Sequence, residues 1–484
     1  MLKALILTPI LGALLIVMTP SRRVDVIRGI AFLVTGVVLA EALWLVSLFD
    51  ATQSGIQFYE TSPWRFRLAT AFALGVDGFS MPLVVLTALL TFVATLASSR
   101  VRGMNARFYY ALLAILEAAI MGVFCAQDWS LFYIFWEMTL IPLFFLIDRL
   151  GGANRQRAAL NFVLYTMGGS VFMLISILLL YDNTGVHSFN MAVIAQSVDK
   201  LPRSTQAWIF LGLLVGLGVK VPIFPIHGWL PLAHVEAPSP VSVLLSGVML
   251  KMGSYGLIRA VGTLPDAAST LQKLLVALAF INLLYGGVLA WRQRDLKAMV
   301  AYSSVSHMGV VLLGIAALNT TGFVAATFQM LAHGLVSGAL FLLVGAVYER
   351  SHSRDIADYS ALARVMPHMA FFLVLSFVAA VGLPGTAGFI AELHTLIAGF
   401  GHWGAWMALI SLGMMISAAY AIRTMGTLFS GKVSERMQDI KDMTRPEWLA
   451  AGLLSLGTLG LGVLPGPVLA RIGVTASYLG RLFE

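Results

Sequence analysis

The chain has 484 residues, of which 59% are hydrophobic and only 11% are charged, and its formal net charge is +8. Soluble domains are about one quarter charged, so this composition indicates an integral membrane protein and excludes an ordinary soluble domain. The basic residues lie in short loops between apolar runs. The positive charge is therefore a sign of membrane topology and not of a nucleic-acid-binding surface.

Fourteen apolar segments of helical length follow one another along the chain. They lie near residues 2–19, 26–48, 80–98, 108–126, 129–147, 158–181, 206–226, 240–262, 270–290, 298–317, 321–347, 370–399, 404–428 and 448–470. The first lacks a small-residue cleavage pattern, so we expect it to remain as a span. The runs do not alternate as barrel strands do, and we expect an all-α integral membrane protein with about 14 transmembrane helices.

The loops between these segments differ in charge. If alternate loops starting with residues 20–25 face the cytoplasm, 19 basic residues lie on that side and nine on the other. Because cytoplasmic loops carry an excess of lysine and arginine, the pattern predicts that both termini lie on the outer side of the membrane.

Two spans contain prolines and glycines that are expected to interrupt the helix, at residues 219–225 and 382–388. A single proline kink is common in membrane helices, but these two fall in the fourth member of two successive five-helix units, spans 4–8 and 9–13. Since five is odd, the second unit is inverted, and paired broken helices in inverted repeats are typical of transporters. The expected divisions are an N-terminal three-helix segment (1–107), two repeats (108–262 and 263–428), and a cytoplasmic loop with a C-terminal helix (429–484).

Seven charged or titratable side chains lie inside the apolar segments: Glu117, Glu137, Lys220, Lys251, His307, His333 and Glu392. An ionised group in hydrocarbon costs roughly 3 kcal/mol or more unless it finds a partner or water. A membrane protein that merely spans has no need of such groups. A mixed row of acids and bases is what a proton relay requires.

The acids and lysines can be given separate expected roles. Glu137 and Lys220 are expected to be a coupled pair, because lysine can release a proton and arginine effectively cannot. Lys251 lies too deep to reach either surface and is expected to be the central relay group. Glu392 follows the second break and is expected to be the terminal acid. For each residue the alternative is a structural ion pair or hydrogen bond.

His307 and His333 lie between Lys251 and Glu392 in the sequence, and imidazole is a natural proton shuttle near neutral pH. The alternative for each histidine is a hydrogen bond that serves packing. Glu117 could equally be a second partner of a lysine or a packing residue. The histidine spacing does not match a metal site, and the single cysteine, Cys125, excludes a cysteine-held cluster within this chain.

The same residues carry a family resemblance that extends over nearly the whole chain. The motifs are FWEMTLIP (135–142), VKVP (219–222) with HGWLP (227–231), LKMGSYG (250–256), YSSVSHMG (302–309) and GLPG (382–385). Together they resemble the antiporter-like membrane subunits of respiratory complex I, the proton-translocating NADH:quinone oxidoreductase, and within them chain M (chain 4). One departure is Leu232, which stands where the family usually has an acid.

The resemblance implies that the chain moves protons across a bacterial inner (plasma) membrane while other subunits transfer electrons. It implies Glu137, Lys220, Lys251 and Glu392 as relay groups and no cofactor in this chain, with flavin, iron–sulfur clusters and quinone in partner subunits. The expected partners are the other membrane and peripheral subunits and the lipid bilayer. The alternatives are a cation/proton antiporter of the Mrp type, a membrane-bound hydrogenase, an inorganic-carbon uptake complex, or a scaffold that does not pump.

Overall fold

The structure is a computed structural model that describes residues 1–65, 70–98, 104–433, 437–438 and 440–484. Four basic residues of the predicted topology, Arg67, Arg100, Arg102 and Arg436, lie outside the described residues.

The chain begins with two helices and a β-hairpin. Helices α1 (Leu2–Met18) and α2 (Val24–Leu48) precede strands β1 (Gln57–Arg65) and β2 (Thr70–Val76), which pair antiparallel. The expectation of an all-α protein is wrong for this segment. Seven to nine residues are too few for a helical span, and the hairpin instead packs at the end of the bundle, where the backbone N–H of Gln127 donates to the carbonyl of Ala73.

The remaining elements are helical. They are α3 (Ser80–Ala97), α4 (Met104–Cys125), α5 (Trp129–Met138), α6 (Leu140–Leu150), α7 (Arg155–Asn183), α8 (Met191–Ala195), α9 (Arg203–Lys220), α10 (Trp229–Glu236), α11 (Ser239–Leu244), a π-helical segment (Leu245–Met249), α12 (Leu250–Thr263), α13 (Pro265–Thr270), α14 (Gln272–Arg292), α15 (Leu296–Ala316), α16 (Thr320–Ser351), α17 (Leu362–Val365), α18 (Pro367–Ala380), α19 (Ala387–Trp403), α20 (Ala408–Phe429), α21 (Arg445–Val463) and α22 (Gly466–Gly480). Short 3-10 turns lie at Val198–Lys200, Ile356–Asp358 and Gly404–Met407.

Ten helical segments of the described chain are long and apolar enough to cross a membrane. An eleventh is added if α21 and α22, which meet at 69°, count as one broken span. The molecule is therefore a mostly helical, multi-span membrane protein. The count of fourteen spans and the division into inverted repeats stay predictions.

Three of these segments form the centre of the bundle. The segment Ser239–Thr263, which includes α12, and helix α16 are each buried over an apolar stretch of membrane-spanning length, and α15 is nearly so. Helix α16 has 32 residues and is roughly 48 Å long at 1.5 Å per residue, which exceeds a hydrocarbon core of about 30 Å. These three central elements carry Lys251, His333 and His307.

Side-chain caps fix where the site-bearing helices begin. The carboxylate of Asp128 accepts from the backbone N–H groups of Ser130 and Leu131 at the start of α5. Asp295 caps α15 and Asn319 caps α16 in the same way. Such caps satisfy backbone donors that the first helical turn leaves without partners.

The two expected helix breaks are present. Helix α9 ends at Lys220, and the chain becomes helical again at Trp229. Helix α18 ends at Ala380, and α19 begins at Ala387. In the second break Gly382 and Gly385 have φ of 76° and 92°, which favour glycine because a Cβ would clash there. The predicted span 370–399 is thus two helices joined by irregular backbone, whereas the predicted span 206–226 is one helix followed by irregular backbone that leads to α10.

Candidate functional site

Lys251 lies at the start of α12, immediately after the π-helical segment, and is fully buried. Its Nζ donates to the carbonyl of Ser246 at 2.6 Å and lies 2.6 Å from Nδ1 of His333 on α16. π-Helical turns often mark functional sites, because they release backbone groups from the regular helical ladder. The lysine therefore has a carbonyl and an imidazole as its partners.

The two histidines and the terminal acid continue from Lys251 in one line. The rings of His333 and His307 have centroids 5.6 Å apart, and His307 Nδ1 lies 3.9 Å from Glu392 Oε1. A cavity of about 20 Å³ touches all three side chains and has room for about one water molecule. A gap above 3.5 Å between polar atoms is one that a water can bridge. Four sequence-predicted residues from four helices are thus brought together.

Lys220 and Glu137 are near each other but do not form a direct ion pair among the described residues. Lys220 Nζ donates to the carbonyl of Trp136 at 3.2 Å and to Oγ1 of Thr139 at 3.0 Å, and it lies 3.8 Å from the Trp136 ring centroid. Glu137 is an electrostatic neighbour of the lysine, and its Oε1 has no hydrogen-bond partner. The fully buried lysine is therefore held by neutral oxygens and an aromatic face.

Glu117 is not part of either group. It is fully buried on α4. Its polar neighbours are the hydroxyl of Thr91 and the carboxylate of Glu41, an acid on α2 that was not among the predicted site residues. Glu41 accepts a hydrogen bond from Oγ1 of Thr8 at 3.0 Å. Both acids therefore lie among the first four helices, away from the line that begins at Lys251.

Two polar residues that the sequence analysis passed over support the first break and the lysine beside it. Asn282 of α14 donates to the carbonyl of Pro222 at 3.1 Å and accepts from the backbone N–H of Phe224 at 2.7 Å. Thr139, at the junction of α5 and α6, provides the hydroxyl that Lys220 contacts. The presence of a single asparagine in the apolar run 270–290 could have indicated a polar contact inside the bundle. Nothing in the sequence indicated the role of Thr139.

His234 is another buried titratable group close to the line. Its ring stacks on Phe341 with centroids 4.2 Å apart, and neither ring nitrogen has a hydrogen-bond partner among the described residues. Its electrostatic neighbours include Lys251 and Lys297. It therefore lies between the central lysine and a lysine at the start of α15.

Within the described part of the chain, no group of three or more His, Cys, Asp or Glu residues could hold a metal ion. Lysine, imidazole and carboxylate can all change their protonation state, and the protein around them excludes bulk water. These features define the class as a membrane protein with an intramembrane chain of titratable groups.

Comparison with known proteins gives the family. Residues 126–417 match the family described as NADH:quinone oxidoreductase/Mrp antiporter, transmembrane region, so the chain belongs to that family. An NAD(P)H-quinone oxidoreductase chain 4 from Thermosynechococcus vestitus is 38% identical, over 99% of this chain and 92% of that protein. NADH-quinone oxidoreductase subunit M from Rhodobacter capsulatus is 39% identical, over 93% and 90%.

A solved structure has the same architecture. A chain of respiratory complex I from Thermus thermophilus with bound NADH superposes with a TM-score of 0.91 and 30% identity, over 100% of both chains. The antiporter-like fold expected from the motifs is therefore confirmed.

Proposed function

We infer that this chain is a proton-translocating membrane subunit of an NADH:quinone oxidoreductase, and that it moves protons through buried side chains while other subunits transfer electrons. The observation that carries this inference is the line Lys251, His333, His307 and Glu392. Four titratable groups in succession, in an almost wholly buried region, have a large desolvation cost that packing alone does not require. The similarity to subunit M and chain 4 proteins supports the assignment to a quinone-reducing complex.

The proposed transfer begins at the contact between Lys251 and His333. The ammonium group gives a proton to Nδ1 of His333 across 2.6 Å and becomes a neutral amine. His333 then passes a proton to His307, and His307 passes one to Glu392 through a water molecule in the adjoining cavity. The same contacts serve the reverse order, so the geometry supports transfer in both directions.

Glu137 and Lys220 form the other half of the proposal. Because Lys220 bonds to neutral oxygens here, an approach of Glu137 would stabilise the protonated lysine, and its withdrawal would favour proton release. Two unit charges about 4 Å apart interact by about 4 kcal/mol at an effective dielectric of 20. Moving one charge through 100 mV requires about 2.3 kcal/mol. The energy of rearranging one such pair is therefore large enough to move one charge across the membrane potential.

The proposal extends to topology and partners. The chain would have fourteen spans in a bacterial plasma membrane, with both termini outside and inverted repeats at 108–262 and 263–428. Two observations support the repeats: the helix is broken after Lys220 and again before Ala387, and each break lies near a proposed relay group. Flavin, iron–sulfur clusters and quinone belong in this proposal to partner subunits.

The second candidate is a subunit of a cation/proton antiporter, because the family description names both activities. In that case the same buried groups would exchange a proton for a sodium ion and would not depend on electron transfer. Dependence on the redox substrate and on sodium therefore distinguishes the two candidates.

The test is proton pumping driven by quinone reduction in membrane vesicles that carry Lys220→Ala, with assembly checked on a native gel. Lys273→Ala, which removes an exposed lysine, is the control. Normal assembly with loss of pumping in Lys220→Ala alone supports the relay. Loss of assembly supports a scaffold, and unchanged pumping with sodium-dependent growth defects supports the antiporter.

A further inference from the structure

A second cavity, separate from the small one beside Glu392, opens beside the end of α14 and the last turns of α20. It has a volume of about 290 Å³ and is lined by Trp291, Gln293, Arg294, Asp355, Arg423 and Thr427, among others. The loops around it are those that the charge pattern predicts to be cytoplasmic. The cavity therefore lies at the level where a membrane helix meets the lipid headgroups.

The cavity is basic, and its arginines are not neutralised by the protein. Within the part of the chain that the structure describes, neither Arg294 nor Arg423 forms an ion pair with a carboxylate; Arg423 Nη1 donates only to the carbonyl of Trp291, at 3.2 Å. The lining also includes an acid, Asp355, whose Oδ1 already accepts from the backbone N–H of Ala357. Two guanidinium groups are thus left to bind an anion.

The two helices that line the cavity also carry exposed apolar side chains. Val288 and Trp291 on α14 are 50% and 40% exposed, and Ile422, next to Arg423 on α20, is 64% exposed. Such side chains offer acyl chains an apolar contact on the same helices that line the cavity. A free phosphate would make no use of that surface.

We propose that the cavity between α14 and α20 binds the phosphate group of an anionic phospholipid, with Arg294 and Arg423 as its ligands. Guanidinium groups suit this role because their planar donors match the oxygens of a phosphate. The hydroxyl of Thr427 and the amide of Gln293 add polar atoms to the same wall. Basic pockets between membrane helices on the cytoplasmic side are a recognised setting for anionic lipid headgroups.

The test uses the whole complex, purified in mild detergent after exposure to isotopically labelled phosphatidylglycerol. Retained lipid is counted by mass spectrometry for the wild type, for Arg294→Gln/Arg423→Gln, and for the control Arg155→Gln/Arg157→Gln, which removes two exposed arginines at the start of α7. We expect the first double variant to lose one labelled lipid per copy of the chain and the control to lose none. Equal retention in all three would overturn the proposal.

A second arm measures binding of radiolabelled inorganic phosphate. Phosphate binding that is lost in the cavity variant, with no change in retained lipid, would assign the site to a soluble anion and overturn the lipid assignment. If the glutamine variant does not assemble, Arg294→Lys/Arg423→Lys is used instead. It keeps both charges but removes the planar fork, and we expect it to retain less labelled lipid than the wild type.

Discussion

Among the residues that the structure describes, Lys251 is held by a backbone carbonyl and an imidazole and not by a carboxylate. A buried carboxylate would stabilise the protonated lysine. When the lysine lost its proton, the carboxylate would remain as a buried charge without a partner. A carbonyl and a neutral imidazole carry no net charge, so they leave no unpaired charge when the lysine is deprotonated. The surroundings of this residue therefore allow both its charged and its neutral form.

Replacing Lys251 by alanine should abolish redox-driven proton pumping while leaving the complex assembled. The variant removes the group that contacts His333, and loss of a positioned proton-transfer group lowers rates on the order of 100-fold or more. Pumping is measured as acidification in vesicles, and Lys273→Ala serves as the control. Full pumping in the Lys251 variant would place the proton path elsewhere.

The sequence was sufficient to name the titratable residues but not their contacts. Lys251, His307, His333 and Glu392 stand out because each interrupts an apolar run. Their convergence depends on how α12, α15, α16 and α19 pack, which a single sequence does not state. For the same reason the sequence did not show that Lys220 donates to Thr139 and forms no direct ion pair with Glu137 among the described residues. Nothing in the sequence distinguishes Thr139 from other threonines.

At the scale of the element, the irregular backbone between α18 and α19 leaves room for the carboxylate of Glu392. A Cβ at Gly382 would lie 2.5 Å from Oε2 of Glu392, and the residue has φ of 76°. Gly382→Ala should therefore displace the carboxylate and reduce pumping. Gly385→Ala is a matched control, since φ there is 92° but no atom lies within 4 Å of the new Cβ.

Both glycine variants should lose about 1–2 kcal/mol of stability, because an alanine in the left-handed region is strained. Only the Gly382 variant should lose pumping, measured by the same vesicle assay. An equal loss in the two variants would show that backbone strain, and not the position of Glu392, limits transfer.

The first break depends on a side chain from another helix. Asn282→Leu should destabilise the protein by about 1–3 kcal/mol for each of the two backbone groups that lose their partner, at Pro222 and Phe224. Thermal unfolding in detergent, followed by tryptophan fluorescence, measures the effect. Asn183→Leu is the control, because that exposed asparagine bonds only within its own helix. Equal stability of the two variants would mean that water satisfies the break.

The two breaks were predictable from proline and glycine, but their supports were not. The β-hairpin was not predicted, because residues 57–76 lie between the second and third apolar segments. Both misses concern contacts between segments that are distant in the sequence. The hydrophobicity of the sequence locates membrane spans, but it does not show which polar atoms form hydrogen bonds with one another.

At the scale of the whole molecule, a buried ion pair joins the central helix to the C-terminal part. Arg350, at the end of α16, contacts Glu447 of α21 at 2.5 Å, and both side chains are less than a tenth exposed. Glu447→Gln should lower the free energy of unfolding by about 3–5 kcal/mol, because the arginine stays buried without its counter-charge.

The control for this prediction is Asp266→Asn, which removes an exposed pair with Arg203 and should cost about 0–1 kcal/mol. Thermal unfolding in detergent compares the two variants. A similar, small effect in both would show that α16 and α21 are held together by apolar packing alone.

The short contact between Lys251 and His333 has a consequence for counting. In the proposed relay, His333 Nδ1 can accept a proton from Lys251 only while that nitrogen carries no proton of its own. A second cannot arrive until the first has left towards His307. Protons would then pass along the proposed relay one at a time, and each passage would deliver one unit of charge.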